Sequence, residues 1–130
     1  YKCGRPVARQ TAQQIVQTIL ELPKGSRFMV LAPRVVHRKG EHKEVFEGAR
    51  EAGFVRIRVD SNVRSLDESI DLDKQKWHTI EVVVDRLIID DETERSRVLD
   101  SVETALRFGD GSVKTVDIDR FVTYEKFFTH

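Results

Sequence analysis

The sequence predicts a single compact α/β domain with a mixed β-sheet and about three helices. Apolar stripes at helical spacing alternate with β-branched runs, and glycine or proline ends most of these segments. A length of 130 residues, of which 39% are hydrophobic, fits one domain with a substantial core. No low-complexity linker interrupts the alternation, so one domain is expected.

The first half of the chain predicts two helices separated by a short strand. Thr11 and Gln14 have the spacing of a capping box, and an apolar helical stripe follows them. A strand is predicted over residues 27–32 and is expected to stop at Pro33. A second apolar stripe at helical spacing precedes Gly53, which is well placed as a helix C-terminal cap.

Residues 54–59 alternate in the manner of a strand, with Arg56 and Arg58 on the same face. The segment Asp60-Ser61-Asn62 is a turn signal. Residues 66–77 are polar and acidic, so we expect them to form an exposed loop.

Residues 78–89 are strongly apolar and β-branched, which predicts a buried strand near the centre of the sheet. Arg86 has the side-chain parity of Ile80 and Val82 within this strand. An arginine on an apolar face needs a partner, a packed stem or an exit to the sheet edge. Two interpretations remain open: Arg86 snorkels to water at the strand end, or the strand holds it out to meet another molecule.

The second half of the chain continues the same pattern. Acidic residues in segment 90–93 suit the positive N-terminus of a third helix, and Gly109 to Gly111 ends that helix. Its buried stripe is Val98, Val102, Ala105 and Leu106. Strands are expected over residues 113–118 and 121–128.

The net charge is zero, yet the two halves of the chain differ in charge. Residues 1–58 hold 12 Lys+Arg and 5 Asp+Glu, whereas residues 59–130 hold 10 and 17. A basic side could steer an acidic partner if the halves stay apart, but the asymmetry cancels if they interleave. No apolar run reaches the length of a membrane span, so no membrane partner is expected.

Several segments, all in one order along the chain, carry a family resemblance. They read Cys3-Gly4-Arg5-Pro6, Val30-Leu31-Ala32-Pro33, Arg38-Lys39-Gly40, Gly53-Phe54-Val55-Arg56-Ile57-Arg58-Val59-Asp60, His78-Thr79-Ile80-Glu81-Val82-Val83-Val84-Asp85-Arg86 and Asp100-Ser101-Val102-Glu103-Thr104-Ala105-Leu106. This pattern resembles the UvrA family, the damage-scanning ATPases of the excinuclease in bacterial nucleotide excision repair. The resemblance places the chain in the inserted module through which UvrA binds UvrB.

The resemblance also implies a division of the chain. Residues 1–9 would be a linker from a preceding zinc half-site, and residues 10–119 the UvrB-binding domain. Residues 120–130 would form a strand or linker toward the next module of UvrA. The location implied is the bacterial cytoplasm, with which a single cysteine is consistent.

No catalytic constellation is apparent, so the chain is not expected to be an enzyme. It contains no glycine-rich Walker loop that could cradle phosphates. Cys3 is an orphan zinc-ligand candidate, because a lone cysteine does not make a zinc site. We therefore expect no cofactor and no metal in this fragment, with ATP and zinc belonging to the full-length parent.

Binding remains as the expected role, with UvrB and the rest of UvrA as partners. Arginine suits a docking surface because its planar fork binds carboxylates bidentately and is weakly hydrated. The candidate partner-binding residues are Arg56, Arg58, Arg86 and Asp85. The alternative is that the arginines form ordinary ion pairs within the domain, for example with Asp60 or Asp85.

A nucleic-acid contact is the competing function. Arg34, Arg38, Lys39 and Lys43 form a basic stretch that could touch phosphates. The pI near 7.1 and the lack of an aromatic-interleaved basic platform count against it, so DNA is a secondary partner.

Overall fold

A computed structural model describes residues 11–118 and the backbone of residues 125–129. Three helices and six strands follow one another along the chain. They are α1 (Ala12–Leu20), β1 (Arg27–Lys39), α2 (Lys43–Glu51), β2 (Arg56–Val59), β3 (Asn62–Ser65), β4 (Trp77–Ile88), α3 (Arg95–Phe108), β5 (Ser112–Asp117) and β6 (Glu125–Thr129). The predicted linker 1–9, with Cys3, lies outside the described residues, and β6 falls within the predicted C-terminal strand or linker.

The strands form one sheet in the order β3-β2-β4-β1-β5-β6. An α/β domain with three helices is confirmed, but all five described pairings are antiparallel, unlike the mixed sheet predicted. The connections β1-α2-β2 and β4-α3-β5 each join strands of the same direction. One antiparallel strand separates each of these pairs, which is the ferredoxin-like split βαβ arrangement. This interleaving also mixes the basic and acidic halves of the chain within one sheet.

The helices cover one face of the sheet and enclose the main core. This core takes α1, α2 and α3 side chains together with alternate residues of the strands. Its fully buried members include Ile15, Val16, Phe28, Val30, Phe46, Ile57, Ile80, Val82, Val98 and Val102. The face opposite the helices, here called the open face, carries no helix among the described residues.

The first helix begins as the sequence predicts. The Thr11 hydroxyl accepts a hydrogen bond from the Gln14 backbone N–H at 3.1 Å, and the Gln14 side chain accepts one from Thr11 N–H at 2.8 Å. This reciprocal capping box satisfies two backbone donors that the helix itself leaves unpaired.

β1 continues past Pro33 to Lys39, so the prediction that it stops at residue 32 is wrong. The register shifts between Pro33 and Val35, which leaves Arg34 as an extra, bulged residue opposite β4. A bulge tolerates proline inside a sheet because the ladder is already interrupted there.

A bulge in β4 corrects the predicted parity of Arg86. Leu31 of β1 pairs with Val83 and Val30 pairs with Asp85, which leaves Val84 as the extra residue. The alternation therefore reverses at Val84: Ile80 and Val82 face the helices before it, and Leu87 and Ile89 face them after it. Arg86 lies on the open face, opposite Met29.

The turn predicted at Asp60 to Asn62 is confirmed as a two-residue hairpin loop. Asp60 and Ser61 both have positive φ, at 49° and 72°, between the paired residues Val59 and Asn62. Such backbone angles match the twist of a hairpin. The loop that follows is not wholly exposed as expected, because Leu66 and Ile70 pack into the core.

Candidate partner-binding surface

The two arginines of β2 lie on the open face but in different surroundings. Arg58 pairs with Glu81 across the β2–β4 ladder, and its Nη1 donates to Glu81 Oε1 at 2.9 Å. Lys114 of β5 also donates to Glu81, from the other side of β1. The three residues are 4%, 1% and 4% exposed respectively. Arg58 therefore lies inside the domain, and its guanidinium is not accessible for the predicted contact with a partner.

Asp85 faces α3 rather than the open face. Its carboxylate accepts hydrogen bonds from the Ser101 hydroxyl at 2.6 Å and from Arg97 Nη2 at 3.1 Å. Partial burial would raise the pKa of Asp85, but these hydrogen bonds outweigh burial and hold it below its ordinary value. The structure thus gives Asp85 a role in joining β4 to the third helix.

Arg56 and Arg86 are both exposed, on neighbouring strands and on the same open face. Arg56 opens β2, two residues before the buried Arg58. Arg86 follows the Val84 bulge, which turns it away from the helices. Within the described residues, neither guanidinium has a hydrogen bond or an ion pair.

Two exposed isoleucines lie on the open face on either side of Arg27, near the Arg86 end of β4. Ile88 is 51% exposed and pairs with Arg27, and the Ile118 backbone N–H donates to the Arg27 carbonyl at 2.8 Å. Arg56, Arg86, Ile88 and Ile118 are called the arginine–isoleucine surface below. An apolar centre with arginines is a common composition for a protein interface.

A groove of about 450 Å³ opens beside this surface. It lies between the end of β4 and the start of α3. Its lining residues are Arg86, Leu87, Ile88, Asp90, Glu92, Thr93, Glu94, Arg97 and Val98. Arg86 and Ile88 thus form one wall of a concave site into which a partner side chain could fit.

Comparison with known proteins identifies the family of this chain. A model of the UvrA interaction domain matches residues 10–119. The chain belongs to this family. It is 51% identical over 115 residues to the UvrABC system protein A of Methanothermobacter thermautotrophicus, which covers 88% of the chain and 12% of that relative.

Two further relatives give the same result. The UvrABC system protein A of Streptomyces coelicolor is 51% identical over 112 residues, covering 86% of the chain and 11% of that protein. That of Treponema pallidum is 50% identical over 109 residues, covering 84% and 11%. The chain therefore spans about one eighth or less of the length of these relatives.

The basic stretch proposed for phosphate contact in this UvrA interaction domain is divided by the fold. Arg34, at its bulge, donates to the Phe108 carbonyl at 2.7 Å and lies over the Phe108 ring. Lys43 pairs with Glu41 at 3.6 Å. Arg38 and Lys39 remain exposed at the far end of β1.

Trp77 is a surface residue that the sequence analysis missed, since it was included in a polar loop. It instead begins β4, pairs with Lys39 and is 54% exposed. The His37 ring stacks on it with centroids 4.8 Å apart. An available signal was that the single tryptophan of the chain follows two lysines, Lys74 and Lys76, but only the strand pairing brings Lys39 next to it.

His78, next to Trp77, forms a buried link between three segments. Its Nδ1 lies 2.8 Å from Asp60 Oδ2, and its Nε2 lies 2.9 Å from the Asp73 carbonyl oxygen. Both partners are acceptors, so the imidazolium with two N–H donors fits best. The hydrogen bond to Asp60 is the main reason that the pKa of His78 is raised.

Neither a metal centre nor a membrane span is found in the part of the chain that the structure describes. Residues 11–118 contain no group of three or more His, Cys, Asp or Glu placed to hold a metal ion. None of the three described helices has the length and apolar character needed to cross a membrane.

Proposed function

We propose that this UvrA interaction domain is a docking module that binds UvrB in nucleotide excision repair. The observation that supports the proposal most is the pair of exposed guanidinium groups, Arg56 and Arg86, on one open sheet face. Neither has an internal partner among the described residues, whereas the buried Arg58 does. Groups left without partners on a rigid strand are suited to meet acceptors on another protein.

The chemistry of the surface indicates an acidic partner. Guanidinium groups bind carboxylates in pairs of parallel hydrogen bonds, and their weak hydration lowers the cost of burial. Ile88 and Ile118 add apolar area that gains free energy when a partner covers it. Charged contacts of this kind raise the association rate and the specificity, and salt weakens them.

We propose docking rather than catalysis as the activity of this chain. The ATP and zinc chemistry expected of UvrA would then belong to other parts of a longer protein, acting in the bacterial cytoplasm. The small share of the relatives' length that this chain covers, 11% to 12%, supports that assignment.

Calorimetric titration of the chain with purified UvrB tests the proposal. Wild type should bind saturably, and more weakly as salt rises. Arg86→Glu or Arg56→Glu should weaken binding by about 2 kcal/mol or more, which is roughly thirtyfold. Circular dichroism and the melting temperature should remain native, because both side chains are exposed.

A matched charge reversal at Arg107 is the control. Arg107 is exposed on α3, on the side of the sheet away from the arginine–isoleucine surface. Arg107→Glu should leave UvrB affinity within about twofold, since long-range surface electrostatics are screened. Equal affinity for all four proteins would remove Arg56 and Arg86 from the site. Absence of binding by wild type at low salt would contradict docking by this chain.

A further inference from the structure

A second exposed cluster lies at the opposite end of β4 from Arg86. Trp77 is the first residue of the strand, and its side chain is on the open face. Its 54% exposure is unusual for so large an apolar side chain. Val36, three residues before Lys39 on β1, is 58% exposed. Tryptophan is among the residues enriched at binding interfaces.

The backbone near Trp77 is shaped by an irregularity in β1. Val35 pairs with Ile80 and Arg38 pairs with His78, so β1 carries one extra residue between these pairs. His37 lies within this bulge at a φ of 50°, a conformation that costs a non-glycine residue free energy. The bulge directs the His37 ring onto Trp77, because bulges re-aim side chains.

A cationic side chain lies over the tryptophan ring. Lys39 Nζ lies 5.4 Å from the Trp77 ring centroid, and Lys76 is exposed at the preceding position, whereas Arg38 pairs with His78 on the other face of the sheet. The nearest acid along β1, Glu41, is engaged by Lys43. The residues His37, Lys39, Lys76 and Trp77 are called the tryptophan platform below.

We propose that the tryptophan platform binds single-stranded nucleic acid. An unpaired base would stack on Trp77, and Lys39, which lies over the ring on a flexible stem, would swing aside to a phosphate. Lys76 would meet a neighbouring phosphate along the strand. Aromatic rings beside a cationic track are the combination that recognises single strands without sequence preference.

The geometry favours a single strand over a duplex. Trp77 lies on the surface of a sheet, and no described helix projects from that position to enter a groove. A duplex keeps its bases stacked on each other, so the ring could reach them only at an end or a bulge.

Tryptophan fluorescence provides a direct test, because Trp77 is the single tryptophan in the sequence. Titration of the 130-residue chain with an oligothymidine of about ten nucleotides should quench its emission, and salt should reverse the quenching. Absence of quenching and of binding at low salt would overturn the proposal.

Two substitutions of Trp77 distinguish aromatic stacking from the effect of side-chain size. Binding of a labelled oligothymidine, followed by anisotropy, should fall roughly 5- to 150-fold in Trp77→Leu, the range given by loss of one stacked base. Trp77→Phe keeps an aromatic face and should lose less. Equal affinity of Trp77→Leu and wild type would contradict stacking.

Charge substitutions complete the test. Lys39→Gln should lower the slope of log affinity against log salt by about 0.7, the value for one phosphate contact on a single strand. Lys24→Gln is the control, because Lys24 pairs with Asp91 far from the platform and should leave the slope unchanged.

The test also distinguishes this proposal from the docking of UvrB. If Trp77→Leu weakens UvrB binding and leaves oligothymidine binding unchanged, the platform is part of the protein interface and the nucleic-acid proposal is wrong. Conversely, Arg86→Glu should reduce UvrB binding and leave the quenching by oligothymidine within about twofold, since the two sites lie at opposite ends of β4.

Discussion

Arg56 and Arg58 lie two residues apart on the same strand and the same face, yet they have opposite environments. Arg58 is 4% exposed and bound to Glu81, whereas Arg56 is exposed with no internal partner among the described residues. The difference comes from the neighbouring strands, since Glu81 lies opposite Arg58 and Lys114 reaches the same carboxylate. Identical residues in an alternating pattern can therefore be buried in an internal ion pair in one case and exposed to solvent in the other.

The contrast extends to the whole open face. Its middle contains the buried charges Arg58, Glu81 and Lys114, and its ends carry the exposed Arg86 and Trp77. Charges removed from water need partners with good geometry, because desolvation costs several kcal/mol for each ion. Charges left in water keep their hydration and stay available to other molecules. The middle of the face should then govern stability, and its ends should govern binding.

Glu81→Gln should have the largest effect on stability. The substitution removes the carboxylate that Arg58 and Lys114 share, and leaves two buried cations with one fewer anion. Breaking a buried ion pair in this way costs about 3–5 kcal/mol. Urea denaturation followed by circular dichroism should therefore show a much lower free energy of unfolding, or an unfolded protein.

Arg56→Gln is the matched control for this prediction. It removes one charge from the same face but lies in water, so its effect on unfolding should stay within about 0.5 kcal/mol. If Arg56→Gln and Glu81→Gln destabilise the domain equally, the distinction between the middle and the ends of the open face fails.

Local signals in the sequence predicted much of the fold. The capping box at Thr11, the hairpin turn at Asp60 and the central position of β4 are all confirmed. These features depend on residues close in the chain, whose backbone preferences and hydrogen bonds act over a few positions. The order of strands depends on contacts between distant segments, which alternation alone does not specify.

The candidate site was less predictable, for a physical reason. The β4 bulge at Val84 lies within three consecutive valines, and no glycine or proline marks it. Because one extra residue reverses the faces of a strand, it decides which way Arg86 points. Likewise, the alternation of Arg56 and Arg58 shows a shared face but not which one meets Glu81 across the ladder. Both outcomes require the register with a neighbouring strand.

Substitutions of the adjacent residues Asp85 and Arg86 should have effects of intermediate size. Asp85→Asn should destabilise the domain by about 1–3 kcal/mol, because Arg97 and Ser101 lose a charged acceptor on a partly buried site. Arg86→Gln should leave stability nearly unchanged and weaken the binding of UvrB. Thermal melts measure the stability of both variants, and titrations measure their binding of UvrB. The opposite result, with Arg86→Gln destabilised and Asp85→Asn weakened in binding, would contradict the assignment of the helix contact to Asp85 and of the partner contact to Arg86.

The smallest effect is expected from pH, which changes a charge that supports the fold without any substitution. The pKa of His78 is raised, chiefly by its hydrogen bond to Asp60. Its contribution to stability is complete below the ordinary value of about 6.5 and is lost as pH rises through the higher folded value. The neutral ring still donates one hydrogen bond, so only part of the interaction disappears.

The free energy of unfolding should therefore decline as the pH rises above about 6.5, as urea denaturation at a series of pH values would measure. Burial would raise the pKa of Asp60, but the hydrogen bond with His78 lowers it, so its own contribution is lost only at acidic pH. Asp60→Asn should flatten the decline, because the amide no longer favours the imidazolium. A decline of the same size in Asp60→Asn would assign the pH dependence to groups other than this pair.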